Sequence, residues 1–196
     1  FRRKYCNFSI NGEIMEMFEN EMFGKTPSRV LPVTFELTSL DKNALGGKAT
    51  RKEITVYFTA DRKGPSMLIL MYLPNSEKKP VPLFLGMNFY GNHTIHPDPG
   101  ISLSKNWVSN NEEYGIENHL AVESSRGMEK SRWPVKRIIE RGYGLATIYY
   151  GDLDPDYDDG FHNGIHPLFY KPGQSSPDPD EWGSIGAWAW GYSRAM

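Results

Sequence analysis

Two short, nearly continuous apolar runs constrain the fold more than any other feature of this sequence. Residues 67–73 read MLILMYL, and residues 81–87 read VPLFLGM. Strands that are covered on both faces have this composition, whereas strands with one solvent-exposed face alternate apolar and polar residues. Residues 74–80, which contain two prolines and two lysines, separate the runs as an exposed turn. The two runs therefore predict the centre of an α/β sheet.

The flanking segments complete the pattern of a mixed sheet. Before the runs, residues 33–37 and 54–58 alternate in polarity and enclose Gly46-Gly47, which predicts an antiparallel pair. After them, residues 134–142 begin with proline and end with glycine, as helices do, and residues 144–150 form another apolar strand. This order predicts an α/β fold in which antiparallel strands come first and buried parallel strands with crossover helices follow.

Two further segments carry the three-to-four spacing of amphipathic helices. The apolar face of residues 11–23 consists of Ile14, Met17, Phe18 and Met22, and that of residues 181–196 consists of Trp182, Ile185, Trp188 and Tyr192. The second helix is so apolar that it must pack on a sheet, and we expect its next partner strand to lie beyond Met196. Between the two helices, residues 91–130 lack periodicity, and we expect short helical turns there.

Charge and apolar content exclude several classes of partner. Lys and Arg number 22 against 24 Asp and Glu, so the chain has no basic excess to attract nucleic acid. Residues 67–73 are far short of the ~18 apolar residues that span a bilayer. Neither nucleic acid nor a membrane is therefore expected as a partner. The one cysteine, Cys6, has no second thiol in the chain for a disulfide or a metal cluster.

An acidic loop follows the strand at 144–150 and allows two interpretations. Carboxylates alternate at residues 152, 154, 156 and 158, as they do in calcium loops. An EF-hand counted from Asp152 would need Gly at its sixth position and Glu at its twelfth, where this chain has Tyr157 and Asn163. A solvated loop that shapes a ligand cleft at the carboxyl end of a strand is the preferred interpretation, with calcium binding as the alternative.

Two histidine pairs have short spacings of the kind that can indicate a metal site. His162 and His166 are four residues apart, and His93 and His96 are three apart. A metallohydrolase helix needs Glu beside its first histidine, but Asn163 follows His162, and Gly164 and Pro167 disfavour a helix there. No metal or cofactor is expected at either pair.

The sequence offers no complete catalytic set. A serine nucleophile of the strand–turn–helix type needs a G-x-S-x-G elbow, and this motif does not occur. Ser184 lies within an apolar helix that no strand directly precedes, and Cys6 is far from any buried strand. A reactive hydroxyl already paired with a histidine would contradict this expectation.

The segment GMNFYGNHT at residues 86–94 directly follows an apolar strand. In α/β-hydrolases this position often supplies backbone N–H groups of the oxyanion hole, and glycines permit close approach. Asn88 and Asn92 are expected to anchor the loop through their amides. A Gly/Asn turn without chemistry is the alternative.

Six segments together resemble the N-terminal half of the glucuronoyl esterases, carbohydrate esterase family 15, and in particular their bacterial branch. They are residues 14–27, 45–52, 82–94, 132–134, 142–156 and 182–196. The strings NFYGNHT and AWAWGYSRAM are the specific ones.

The resemblance implies the N-terminal half of an α/β-hydrolase three-layer sandwich and a serine esterase mechanism. It places the nucleophilic serine, the acid and the catalytic histidine after Met196, so no catalytic residue is assigned and this chain alone is expected to be inactive. One partial domain is expected, with a helical segment at 1–30 and the hydrolase part at 31–196, truncated before the nucleophile strand. The residues expected to support the active-site face are Asn88, Gly91, Asn92, His93 and Asp152.

The implied reaction is hydrolysis of esters of (4-O-methyl-)glucuronic acid in the xylan–lignin linkages of plant cell walls, without a metal or organic cofactor. The implied partners are this polysaccharide and a C-terminal half of the same polypeptide, and the implied location is periplasmic or extracellular. Two alternatives remain open on the same fold: an acetyl-xylan-type carbohydrate deacylase, and a non-catalytic carbohydrate-binding or scaffold protein.

Overall fold

The computed structural model describes residues 8–76 and 80–196, so Cys6 lies outside the described residues. Its strands form one mixed sheet in the spatial order β1-β2-β3-β5-β4. Their bounds are β1 Thr34–Ala44, β2 Ala49–Tyr57, β3 Ser66–Pro74, β4 Leu83–Asn88 and β5 Gly144–Tyr149. The α-helices are α1 Phe8–Phe18, α2 Val135–Glu140 and α3 Ser184–Ala195.

The sheet combines an antiparallel and a parallel part, as the alternation of the sequence predicts. β1 and β2 pair antiparallel around the turn at 45–48, β2 pairs antiparallel with β3, and β3 pairs antiparallel with β5. β4 runs parallel to β5, and α2 lies between them in the chain. The expected architecture of antiparallel strands followed by a parallel pair with a crossover helix is therefore confirmed.

The side chains of alternate residues in β3 and β5 pack in two separate hydrophobic cores, one on each face of the sheet. On one face Ile69 and Ile148 pack in the core that α3 covers. On the other face Leu70 and Leu145 pack with the α2 residue Ile139. Every residue of β5 is buried, because both faces of this central strand are covered.

α3 docks on its face of the sheet through one aromatic side chain and one close backbone approach. The rings of Trp190 and Phe58 lie 5.1 Å apart in an edge-to-face arrangement. Gly191 faces Leu153 so closely that a Cβ there would lie 2.2 Å from a Leu153 methyl carbon. The expectation that this helix packs on the sheet is confirmed.

Several details differ from the sequence prediction, and each concerns whether a surface is buried or exposed. Ile185, predicted on the packed face of α3, is 58% exposed, and Ala187 and Trp190 face the core instead. β4, predicted to be covered on both faces, is the last strand of the described sheet, and its Phe84 is 55% exposed. The apolar face of the first helix is also exposed, and Met17 has 63% of its surface accessible.

The aperiodic stretch 91–130 contains the short helical turns that were expected. They are 3-10 turns at Asn92–Ile95, Glu112–Tyr114 and Glu123–Ser125, and further ones lie at Tyr150–Asp152 and His166–Phe169. A π-helical turn, Glu19–Phe23, extends α1. Within the described residues, no helix is long and apolar enough to cross a membrane.

The contact between Gly191 and Leu153 makes a prediction about stability. Gly191→Ala is expected to lower the free energy of unfolding by about 1–3 kcal/mol, because the new methyl group must displace α3 or the buried Leu153 side chain. Chemical denaturation measures this change. Gly12→Ala in α1 is the matched control, since a Cβ there meets nothing within 4 Å. A Gly191→Ala protein as stable as the control would contradict this account of how α3 docks.

Candidate functional site

The candidate site lies at the carboxyl ends of β4 and β5, where Asn88 ends the edge strand with a buried side chain. Its Nδ2 is 2.6 Å from Asn92 Oδ1, 3.0 Å from Thr147 Oγ1 and 3.1 Å from the Ile148 carbonyl oxygen. Its Oδ1 accepts a 2.9 Å hydrogen bond from the Gly91 N–H. One carboxamide therefore ties the loop after β4 both to itself and to the neighbouring strand.

Gly91 is required by the geometry of this loop. Its φ of 98° lies in the region that favours glycine, and a Cβ there would lie 2.8 Å from His93 Cε1. The Gly91 carbonyl oxygen accepts hydrogen bonds from Thr94, from the backbone N–H at 3.0 Å and from the hydroxyl at 2.8 Å. The N–H groups of Gly91 and Thr94 are thus used within the loop, so the oxyanion-hole interpretation gains no support from these two donors.

A second chain of hydrogen bonds joins this loop to the acidic loop through the backbone of Leu68 in β3. Asn92 Nδ2 donates to the Leu68 carbonyl oxygen at 2.8 Å, and the Leu68 N–H donates to Asp152 Oδ2 at 2.9 Å. Asn106 Nδ2 donates to the other carboxylate oxygen, Asp152 Oδ1, at 2.8 Å. The structure therefore brings Asn88, Gly91, Asn92 and Asp152 into one network.

Asp152 occupies an environment that disfavours its charge. Its residue surface is only 9% exposed. Burial raises the pKa of its carboxyl to about 6, and the hydrogen bonds from Leu68 and Asn106 oppose this shift. The carboxyl therefore changes its charge close to neutral pH, unlike a solvated aspartate.

His93, the fifth predicted residue, makes a buried contact of its own. Its Nε2 lies 2.8 Å from Ser125 Oγ, and both side chains are fully buried. The Ser125 hydroxyl hydrogen is directed at the Val122 carbonyl oxygen, 2.7 Å away, so Ser125 Oγ accepts the hydrogen of His93 Nε2. A general base needs its lone pair toward the serine hydrogen, and here the histidine is the donor. This hydroxyl–histidine pair is therefore structural and leaves the expectation of an absent catalytic set intact.

A second buried histidine lies beside a carboxyl group. His166 Nε2 is 3.6 Å from Asp154 Oδ1, beyond hydrogen-bond distance, and neither ring nitrogen has a hydrogen-bond partner within the described residues. Burial lowers the pKa of His166 to about 4 and raises the pKa of Asp154 to about 6. The pair therefore packs as neutral groups near pH 5, and no serine of the described chain lies within hydrogen-bond distance of His166.

The acidic loop uses part of its charge to hold its own backbone. Asp159 accepts hydrogen bonds from the backbone N–H groups of Phe161 and Asn163, and Asp158 accepts one from Gly160. In residues 8–76 and 80–196 no three Asp, Glu, His or Cys side chains are grouped closely enough to hold a metal ion. The geometry gives the calcium interpretation no support.

Leu68, Asn106 and Ser125 were not predicted from the sequence as members of these networks. Leu68 contributes only its backbone, which no residue pattern marks. Asn106 and Ser125 lie in the aperiodic stretch, and their partners are 46 and 32 residues away in the chain. No local signal identifies such contacts.

The raised pKa of Asp152 predicts a pH-dependent stability difference. The folded protein holds this proton up to a pH of about 6, whereas the unfolded chain releases it near pH 4, so the carboxyl favours folding most at low pH. The stability of the wild type relative to Asp152→Asn is expected to rise by about 1–3 kcal/mol as the pH falls from ~7.5 to ~4. Denaturation series over this pH range measure it, with Asp156→Asn in the same loop as the control. A difference that stays constant, or that grows toward high pH, would show the assignment to be wrong.

The direction of the Ser125–His93 hydrogen bond makes a second prediction. Ser125→Ala removes the acceptor of a buried N–H and is expected to lower the free energy of unfolding by about 1–3 kcal/mol. Ser124→Ala, at an exposed neighbour, is expected to change the free energy of unfolding by less than about 0.5 kcal/mol.

Mass spectrometry after treatment with a fluorophosphonate is expected to find Ser125 unmodified. Labelling of Ser125 would identify it as an activated nucleophile instead.

Comparison with known proteins finds similar sequences and similar structures among esterases. No protein-family model matches the chain. A curated relative, carbohydrate esterase MZ0003 from an unknown prokaryotic organism, is 43% identical over 193 residues, which are 98% of this chain and 44% of the relative.

Solved structures give the same result. A glucuronoyl esterase from Solibacter usitatus superposes with a TM-score of 0.85 at 46% identity, covering 94% of this chain and 46% of its own. A promiscuous CE15 esterase from a marine bacterial metagenome gives a TM-score of 0.82 at 43% identity, covering 97% and 47%. The chain thus spans somewhat less than half the length of these relatives. It matches the N-terminal half of the α/β-hydrolase fold of the glucuronoyl esterases, carbohydrate esterase family 15, and the resemblance noted in its sequence is confirmed.

Proposed function

We propose that this chain forms the N-terminal half of a serine carboxylic-ester hydrolase that cleaves esters of (4-O-methyl-)glucuronic acid in xylan–lignin linkages. The observation that carries the proposal is the 46% identity, over 94% of the chain, to a protein named as a glucuronoyl esterase. The two structures superpose with a TM-score of 0.85. The plant-wall substrate favours a periplasmic or extracellular location.

In this proposal the chain supplies the framework of the active-site face. The carboxyl ends of β4 and β5 carry the loops at 88–95 and 150–159. Buried hydrogen bonds of Asn88, Asn92 and Asp152 hold both loops against the backbone of β3. A loop held in this way stays in one conformation when substrate binds, which lowers the entropic cost of positioning it. Gly91 and His93 serve the same purpose by fixing the turn.

The catalytic groups in this proposal come from residues equivalent to the C-terminal half of the relatives. Within the described residues, the Ser125–His93 pair is buried and has its hydrogen bond in the wrong direction for catalysis. Ester hydrolysis by a serine proceeds by attack of its Oγ on the ester carbonyl carbon, departure of the alcohol and cleavage of the acyl-enzyme by water. Histidine accepts and returns the proton, so this reaction uses no metal or organic cofactor.

A carbohydrate deacylase is the second candidate, and one comparison favours it. The relative from the marine metagenome, which is 43% identical, is described as a promiscuous esterase. An acetyl-xylan-type activity would use the same fold and the same acyl-enzyme chemistry. It would differ only in the acyl group that the site accepts.

A chimeric protein tests both candidates. Residues 1–196 joined to the C-terminal half of the Solibacter usitatus esterase are expected to hydrolyse an alkyl ester of glucuronic acid, while the 196-residue chain alone gives no turnover above a buffer blank. The chimera with alanine in place of its nucleophilic serine is the matched control. Near-UV circular dichroism establishes that each protein is folded.

Three outcomes of the chimera experiment distinguish the two candidate functions and test the division of roles between the two halves. Hydrolysis by the chimera, with none by the chain alone, supports the proposed function. Turnover by the chain alone contradicts the division of roles between the two halves. A folded chimera that releases acetate from acetylated xylan but leaves the glucuronate ester intact favours the deacylase.

A further inference from the structure

Two charged side chains of opposite sign lie on the same face of β2, and both are buried. The exposed fraction of Arg51 is 6% and that of Glu53 is 1%. Burial of a charge is costly unless the charge is paired and hydrogen-bonded, so both side chains need partners. The hydrogen bonds of Asn88, Asn92 and Asp152 involve neither of them.

Both carboxylate oxygens of Glu53 bond to one residue, Ser102, which lies 49 residues further along the chain. The Ser102 N–H donates to Glu53 Oε1 at 2.8 Å, and the Ser102 hydroxyl donates to Glu53 Oε2 at 2.9 Å. Hydrogen bonds to a charged group are roughly twice as strong as those between neutral groups. Glu53 therefore fixes one point of the aperiodic stretch to the sheet.

Arg51 fixes a second point of the same stretch through Asp98. Its Nη1 lies 2.6 Å from Asp98 Oδ1, and the Tyr72 hydroxyl of β3 donates to Asp98 Oδ2 at 2.9 Å. Between the two points, Arg126 Nη1 donates to the carbonyl oxygens of Asp98 and Ile101 at 3.0 and 2.7 Å. Charged side chains thus hold residues 98–102, which contain no helix or strand.

The chain that leaves this anchored stretch reaches the candidate site four residues later. Asn106 Nδ2 donates to Asp152 Oδ1 at 2.8 Å, beside the carboxyl end of β5. Residues 102–106 line a cavity of about 440 Å³, which Asp152 also lines, and Lys105 is the other charged residue of its lining. Because residues 102–106 form no helix or strand, their position beside Asp152 depends on where β2 holds Ser102.

We propose that Glu53, supported by Arg51, is a positioning residue of the active-site face, which acts through Ser102 to hold residues 98–106 in one place beside Asp152. The effect on catalysis is indirect, because a segment that is already ordered costs the substrate less conformational entropy on binding. This effect rests on the proposed function, whereas the position of the segment rests on the contacts described above.

Titration of the Asp152 carboxyl by NMR in the 196-residue chain tests the positioning. Burial raises the pKa of Asp152 to about 6 in the wild type, and its hydrogen bonds oppose this shift more weakly. In Glu53→Ala the segment loses both bonds at Ser102 and water reaches Asp152, so the pKa of Asp152 is expected to fall toward ~4, the ordinary value for aspartate. A loss of overall stability alone does not move this pKa in the folded protein.

Two further variants isolate the cause. Glu53→Gln is expected to keep the wild-type pKa of Asp152, because its carboxamide can accept the Ser102 N–H and donate to the Ser102 hydroxyl oxygen. Glu140→Ala, at an exposed acid of α2 that pairs with a lysine at the surface, is the matched control and is expected to leave this pKa unchanged.

The chimera gives a second readout. Glu53→Ala is expected to raise the KM for the alkyl glucuronate about threefold or more while kcat changes less, because the substrate must then order the segment. A smaller folded fraction alone lowers kcat and leaves KM unchanged. If the unsubstituted chimera is inactive, the proposed function fails, while the titration of Asp152 still decides whether Glu53 positions the segment.

An unchanged pKa of Asp152 in folded Glu53→Ala overturns the proposal. An equal fall in Glu140→Ala overturns it as well, and so does an equal fall in Glu53→Gln, which would assign the effect to the lost charge. An unchanged KM in an active Glu53→Ala chimera overturns the effect on catalysis. If Glu53→Ala fails to fold, Ser102→Ala, which removes one of the two bonds at an exposed residue, decides by the same two readouts.

Discussion

The buried carboxamide of Asn88 is the contact on which the arrangement of this site depends. It stands at the end of the edge strand β4 and reaches the loop at residue 92, the side chain of Thr147 and the backbone of β5. An unpaired buried amide is costly, so the loop conformations that satisfy all of these groups are strongly preferred over others. The backbone of Leu68 bonds to Asn92 through its carbonyl oxygen and to Asp152 through its N–H. The loop after β4 and the loop after β5, which are distant in sequence, are thereby held together.

Much of the fold could be predicted from the sequence because apolar periodicity reflects burial directly. The uninterrupted run at 67–73 identified β3 as a strand covered on both faces. The alternation at 54–58 identified β2 as a strand, but the prediction that one of its faces is exposed was wrong, because Glu53 on that face is buried. The predictions that were wrong concern surfaces whose cover depends on other parts of the fold. Leu83 and Phe84 of β4 look like core residues in sequence, but among the described strands β4 has a neighbour on one side. Ile185 of α3 is exposed, whereas Ala187 and Trp190 of the same helix lie in the core.

The candidate site was partly predictable for a different reason. Asn88, Gly91 and Asn92 follow an apolar strand, and the ends of strands in α/β sheets are where functional loops lie. Asp152 was predicted on the same ground, after β5. Asn106 and Ser125 were not, because they meet their partners through long-range contacts from a segment without periodicity. The buried histidines show the limit of motif spacing most clearly: His93 pairs with a serine, and His166 lies beside an aspartate, yet neither arrangement was readable from the spacing of the histidines.

Amide hydrogen exchange at Gly91 and Leu68 reports on whether buried side chains hold the two loops, because both N–H groups donate to the side chains that join the loops. Slow exchange is expected at both positions in the wild type. In Asn88→Ala, exchange at Gly91 is expected to be at least about tenfold faster, while amides of the β1–β2 pair keep their rates. Exchange at Gly91 as fast in the wild type as in an unstructured peptide would show that Asn88 does not hold the loop.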